Sequence, residues 1–409
     1  MVRDGLTAES SENTRSAPAL WLIVSLAALG PFSISVYLPA LPSLTDALGA
    51  SPAQGQLTMT MYLAGFAIAQ LVYGPLSDRL GRRPMMIAGL LIYVVASIAA
   101  ALSTTIALLL AARFGQALGA CAGTVLSRAV VRDSTSGPEI ARTLAVIAAA
   151  LALSPALGPA VGGIVAVWFD WRACFLLLAG FGAALLLCVL FQLAETNRHP
   201  TPDRLDAPTI ARGYLALVRD RNFLGFVLSG AFISAAAYVY NIGAPFIFIT
   251  LLGLAPDAYG LLGLVTGAGY FGGTMLVRRR AGTMRAEQLA LIGSRWALVG
   301  AVVLLEIALI GPLRVWSIIA SMTVFAVGLG LLLPTTAAAA LARYPRSAGA
   351  AAAVIGCSQM GIGVAATALL SALDRTTPLP MAGLIAALAL LTSASCWFTA
   401  HRSSGPSLP

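Results

Sequence analysis

The sequence predicts an all-α, polytopic membrane protein of 12 transmembrane helices in two six-helix pseudo-repeats. Three observations carry that reading: composition, the spacing of long apolar runs, and the one-sided placement of arginine. Hydrophobic residues make up 59% of the 409-residue chain and charged residues 10%, with a mean hydropathy of +0.88. A chain so poor in polar side chains cannot cover itself in water.

A helix needs about 20 apolar residues to cross the hydrocarbon core. Runs of that length lie near 17–40, 54–76, 84–103, 105–127, 141–166 and 171–193, and again near 222–246, 257–277, 287–310, 314–340, 348–372 and 377–400. The expected organisation is therefore a tail over 1–16, a six-helix bundle over 17–193, a polar linker over 194–221, a second bundle over 222–400 and a tail over 401–409. The first apolar run is longer than a signal-peptide core and lacks a clear cleavage site, so it is expected to stay in the chain.

Arginine orients the bundle. All 25 basic side chains are Arg, and short cytoplasmic loops carry the Lys/Arg excess. With both termini inside, twenty arginines fall in cytoplasmic segments and only Arg172, Arg314 and Arg375 in outer loops, while Arg113 and Arg295 lie within spans. The net charge of +9 is dispersed between apolar runs, which argues against a nucleic-acid partner. The five cysteines sit in apolar segments without CxxC or metal-ligand spacing, so neither metal nor cofactor is expected. "GPLSDRLGRR" from Gly74 aligns with "GTMLVRRRAG" from Gly273, placing a basic loop after the second span of each half. Such a weak repeat suits a carrier built from two halves around a central site.

Charge is concentrated in "GPLSDRLGRRP", residues 74–84. Gly74 and Gly81 permit a tight turn, Pro84 suits the first turn of the next helix, and Arg79, Arg82 and Arg83 hold the loop at the anionic face. Arg113, in "LAARFGQALGACAG", is placed by the spacing near the middle of its span, where an ionised side chain costs about 2.5–3.5 kcal/mol and must face a cavity or a partner. Arginine does not release protons at useful pH, so its expected task is to bias a neighbouring carboxylate or hold a polar substrate group. In "SPALGPAVGG", Pro155 and Pro159 kink the helix while Gly158, Gly162 and Gly163 admit a close neighbour.

These segments, together with "VYLPALPSL" over 36–44, resemble the major facilitator superfamily and within it the Bcr/CflA-type drug:proton antiporters. The resemblance implies a latch in which Asp78 meets Arg132, in "VVRD", and faces the N-terminus of the eleventh helix. It also implies an antiporter motif at Pro155, Gly158, Pro159, Gly162 and Gly163, and a multi-pass location in the bacterial inner membrane with both termini cytoplasmic. The chain departs from that branch at Ser35, where an aspartate is usual, and at Gln359, where some relatives carry arginine. Glu306, toward the outer end of the ninth span, is the one acid clearly inside a span. Arg113 and Glu306 are thus the coupling candidates, and Ser35, Tyr37, Tyr62, Gln116, Tyr238, Asn241 and Gln359 the substrate-contact candidates.

The expected function is secondary active efflux of small amphipathic drugs or antibiotics in exchange for protons by alternating access. Lacking a central carboxylate, the cavity should prefer neutral or anionic compounds to permanent cations, with neutral chloramphenicol-like or bicyclomycin-like drugs as the expected cargo. The alternative is an uptake carrier or facilitator for a neutral or anionic metabolite. Expected partners are the small-molecule substrate, protons and membrane lipid, with the chain working as a monomer. An enzyme is not expected: the sequence holds no HxxxxD, HExxH or zinc-ligand pattern and only two histidines.

Overall fold

A computed structural model describes residues 18–135, 137–197, 207–344, 347–373 and 377–403. The expected tail over 1–16, most of the tail over 401–409, the linker stretch 198–206, and Arg3, Arg15, His199 and Arg375 lie outside the described residues. Every described element is helical. The first half comprises α1 (Leu20–Ser35), a 3-10 turn (Leu38–Ala40), α2 (Leu41–Ala47), α3 (Pro52–Leu80), α4 (Arg82–Ala101), α5 (Ile106–Ser134), α6 (Pro138–Trp168) and α7 (Trp171–Gln192). After α8 (Ala207–Arg219), the second half comprises α9 (Arg221–Pro245) with a π-helical continuation (Phe246–Leu251), α10 (Pro256–Arg280), α11 (Ala286–Ile310), α12 (Val315–Ala342), α13 (Ala348–Ala372) and α14 (Leu379–Ser403).

Twelve of these helical stretches are long and apolar enough to cross a membrane, α1 and α2 counting together as the first. Their large apolar residues face outward as well as inward: Val95, Phe191 and Ile310 are 67%, 84% and 86% exposed, as helices bathed in lipid require. Loop ends are fixed locally. Ser51 and Gln54 form a capping box at the start of α3, and the Thr105 and Asp170 side chains accept the first free amides of α5 and α7.

The linker is not wholly irregular, since α8 occupies its second half. "YLALV" turns Tyr214 and Leu217 onto Phe223, Ala351 and Val354 and leaves Leu215 and Val218 exposed. Gly74 also departs from expectation. It lies inside α3, which continues to Leu80, and the turn is made by Gly81 alone at φ 97°, a conformation that favours glycine.

The repeat is visible at atomic contacts. A Cβ at Gly65 of α3 would stand 2.6 Å from the Phe114 carbonyl oxygen of α5, and one at Gly269 of α10 2.8 Å from the Thr323 oxygen of α12. Likewise a Cβ at Gly119 would reach 2.5 Å from the Gly89 oxygen and one at Gly328 2.5 Å from the Gly293 oxygen. The same small-residue approach therefore joins equivalent helices in each half. Two seams join the halves to each other, α3 against α13 and α6 against α10. Thr60 donates to Thr367 across the first at 2.9 Å.

Candidate transport site and gate

Arg113 is fully buried on α5, in a cage drawn from three other helical segments. Its guanidinium carbon lies 4.2 Å from the Tyr37 ring centroid and 4.3 Å from that of Tyr62, with Phe175 at 5.8 Å. Nη1 donates to the Ser33 carbonyl at 3.3 Å and to Gln116 Oε1. Nε and Nη2 are sealed without a hydrogen-bond partner. A desolvated cation over an aromatic face gains about 2 kcal/mol, so two rings roughly offset the cost of placing the charge inside a span.

A second layer holds the cage. Gln116 Nε2 donates to Ser97 Oγ at 2.8 Å, Tyr37 and Thr58 share a hydroxyl bond at 3.1 Å, and Tyr62 donates to the Gly30 carbonyl at 3.1 Å. The expectation of a buried Arg with partners holds, but the partners are rings, a carbonyl and an amide rather than a carboxylate. Its depth is corrected too: α5 begins at Ile106 and runs to Ser134, so Arg113 sits only about 10 Å from one end.

This cage changes the picture of substrate contact. Tyr37, Tyr62 and Gln116 are 0% exposed and committed to Arg113 or its supports. Ser35 is buried in the α1–α6 seam, donating to the Pro31, Phe32 and Ser154 carbonyls at 3.1–3.2 Å. Tyr238 and Asn241 on α9 and Gln359 on α13 remain partly exposed, with the Tyr238 hydroxyl 3.6 Å from Met360 Sδ. Glu306 is exposed on α11, beside Val303 and Leu309 and on a helix packed against α12 and α14, so the structure does not bring it to Arg113.

The glycines of "SPALGPAVGG" stand at close approaches to neighbouring helices. A Cβ at Gly158 would collide with Ser35, and one at Gly162 with the Val36 carbonyl, where α1 gives way to the 3-10 turn. On the other side of the helix, a Cβ at Gly163 would stand 2.5 Å from the Pro256 oxygen of α10. Pro159 offers its carbonyl to the same seam at Gly260. One stretch of α6 therefore touches both its own half and the opposite one.

At the end of the bundle carrying the α3–α4 turn, Asp78 pairs with Arg82 at 2.5 Å and not with Arg132. Arg82 Nε donates to Asp133 Oδ2 at 2.9 Å and Nη1 to Ser77 Oγ at 2.6 Å. The one-turn spacing of Asp78 and Arg82 satisfies the aspartate locally, leaving Arg132 directed at α13, with Nη1 3.8 Å from where a Cβ on Gly349 would stand. Arg79 is exposed, and Arg83 donates to the Leu190 carbonyl at 2.8 Å.

Sequence reasoning missed the other half of this lock. Gly81 provides no side-chain cap for α4. Glu195, just past α7, supplies one from a distance by accepting the Arg82 and Arg83 amides at 2.9 and 3.0 Å. Asn197 donates to the Asp78 carbonyl at 2.8 Å, satisfying the free end of α3. A cleft of about 480 Å³ opens at the same end between α1, α5 and α6, lined by Leu20, Ile23, Ser134, Glu139, Arg142 and Val146 among others.

Residues 23–367 match the family model described as Major Facilitator Superfamily. The chain belongs to that superfamily. It is 31% identical over 378 residues to a Bacillus subtilis protein named "Uncharacterized MFS-type transporter YdgK", covering 91% of this chain and 93% of that one. It is 27% identical to the Escherichia coli "Multidrug resistance protein D" (94% of this chain, 95% of that protein). The "Bicyclomycin resistance protein homolog" of Haemophilus influenzae is 25% identical (92% and 95%). A solved D-xylose-proton symporter shares the fold with a TM-score of 0.76 at 15% identity, covering 95% of this chain and 99% of that one. The protein is a multi-pass membrane transporter rather than an enzyme.

Proposed function

We propose that this carrier exports small amphipathic drugs, uncharged compounds of the chloramphenicol or bicyclomycin type, in exchange for protons by alternating access. The observation that carries the reading is the placement of charge. Arg113 is a deeply buried ionised group caged by aromatic rings, while the substrate-contact candidates left partly open are Tyr238, Asn241 and Gln359 on the facing half. An aromatic ring and two amides hold a drug-sized molecule without demanding one shape, and nothing there compensates a permanent cation. The names of the two resistance relatives support export.

In this reading the arginine-rich end faces the bacterial cytoplasm, both termini lie there, and the α3–α13 and α6–α10 seams are the surfaces over which the halves rock. The chain acts alone. A second reading, uptake or facilitation of a neutral or anionic metabolite, is favoured by Ser35, which stands in a packed seam where a coupling carboxylate would be expected.

A tolerance panel in a pump-deleted bacterium separates them, combined with acidification of energised inverted vesicles. Export predicts raised tolerance to neutral drugs, little to permanent cations, and reduced acidification when drug is added, all lost in Arg113→Ala. Strong export of permanent cations, or normal transport by Arg113→Ala, refutes the site. Solute accumulation without tolerance or proton movement replaces export by facilitation.

A further inference from the structure

We propose that Arg128 and Arg132 form an anion-binding station at the arginine-rich mouth of the pathway, which receives the negatively charged group of an amphiphilic cargo. The two side chains lie one turn apart on α5, on one face of the helix. Arg132 is exposed and directed at the first turn of α13, as the 3.8 Å approach to Gly349 records, so this face of α5 looks across to the opposite half. Arg128 is one turn deeper and half-buried, with Cys121 nearby.

The acids described at this end are engaged elsewhere. Asp78 and Asp133 hold Arg82, Glu195 caps α4, and Asp220 caps α9 while bonding Tyr344 at 2.7 Å and approaching Arg343 at 3.9 Å. Glu139 lines the separate cleft beside Arg142. Among the described residues, no ion pair or hydrogen bond involves the Arg128 or Arg132 side chain. Arg113 differs in kind. Two of its nitrogens are sealed, whereas no nitrogen of Arg128 is a sealed, unpartnered atom.

Two adjacent like charges repel, so leaving both without a carboxylate disfavours the unliganded mouth. The N-terminus of α13 adds positive potential from the other side. A carboxylate or sulfonate on an apolar body satisfies all three at once, with guanidinium forks giving bidentate bonds. The station therefore adds anionic amphiphiles to the uncharged drugs proposed above as cargo. The inference rests on the export reading only for the direction of travel, since binding at the mouth stands independently of it.

The test uses the full chain in nanodiscs of phosphatidylcholine, with carboxyfluorescein as the probe and fluorescence anisotropy as the readout. Native protein is expected to bind it saturably, with affinity falling as salt rises. The double variant R128Q/R132Q should lose at least about tenfold in affinity, the loss expected from removing charge-assisted hydrogen bonds. R128K/R132K, which keeps the charge, should recover part of it and controls for folding. Chloramphenicol succinate should displace the probe where chloramphenicol does not. No saturable binding by native protein, or equal binding by native and R128Q/R132Q, overturns the proposal. Arginine-dependent binding in a chain that raises tolerance to no drug leaves the anion station standing and refutes export.

Discussion

Gly163 meets α10 across the α6–α10 seam through backbone atoms alone, and alanine there is a direct test of the interface. Its Cβ would stand 2.5 Å from the Pro256 oxygen, 2.9 Å from Asp257 Cα and 3.1 Å from the Pro256 carbonyl carbon, where ordinary contact begins near 3.4 Å. All three are main-chain atoms, so no rotamer relieves the clash, and the start of α10 must retreat by roughly 1 Å. Overpacking of this kind costs about 1–3 kcal/mol. Because the strain falls on a contact between halves, it weakens the arrangement in which this end is closed and shifts the balance toward its open counterpart. Each ~1.4 kcal/mol moves that balance about tenfold, so a shift of roughly five- to 150-fold is expected. Gly180→Ala is the control, since nothing lies within 4 Å of its added Cβ. Spin labels on the ends of α6 and α10, read by double electron–electron resonance, should show a longer distance population in Gly163→Ala, with lowered thermal stability. If Gly163→Ala matches Gly180→Ala in both, the seam does not govern opening.

Three other outcomes are expected. Ser35→Asp should not create a cation exporter: the new carboxylate would face the Pro31, Phe32 and Ser154 carbonyls, all acceptors, and ethidium tolerance should stay at background while thermal stability falls by about 1–3 kcal/mol. Glu195→Gln should lower stability by about 1 kcal/mol and speed proteolysis at the α3–α4 turn, because the anionic cap on two amides is lost; unchanged cleavage would count against the lock. Burial alone would raise the Asp220 carboxyl, but hydrogen bonds from Tyr344, Phe223 and Asn222, with Arg343 nearby, hold it below the ordinary range. A lowered carboxyl stabilises the fold above its unfolded pKa near ~4 and loses that contribution as pH falls through the folded value. Tyr344→Phe should therefore be less stable than native protein by about 1 kcal/mol at pH 7, with the gap closing below about pH 4 in thermal melts.

Hydropathy made the twelve spans legible because each is an independent, local consequence of solvating a helix in lipid. That Arg113 needs partners was legible for the same reason, since a lone charge inside a span is costly wherever it sits. Its cage was not, because Tyr37 and Tyr62 are brought to α5 by packing, and four of the residues expected to meet substrate turned out to be buried structure. Asp78 was assigned a distant partner although Arg82, four residues on, lies within reach on the same turn. Glu195 gave no signal, as a lone acid after a span looks like any solvated charge. α8 did have one: apolar Tyr214 and Leu217 recur at helical spacing within the segment whose average polarity marks it as a linker.

The connection between the bundles is fastened at both ends. Glu195 and Asn197 bind its beginning to the first half, and Tyr214 and Leu217 of α8 bind its end to the second. Nine residues, 198–206, separate Asn197 from Ala207, and a chain of that length spans at most about 30 Å. The separation of the two anchors is therefore bounded by covalent length as well as by packing, and inserting residues between them would relax that bound while leaving both anchors intact.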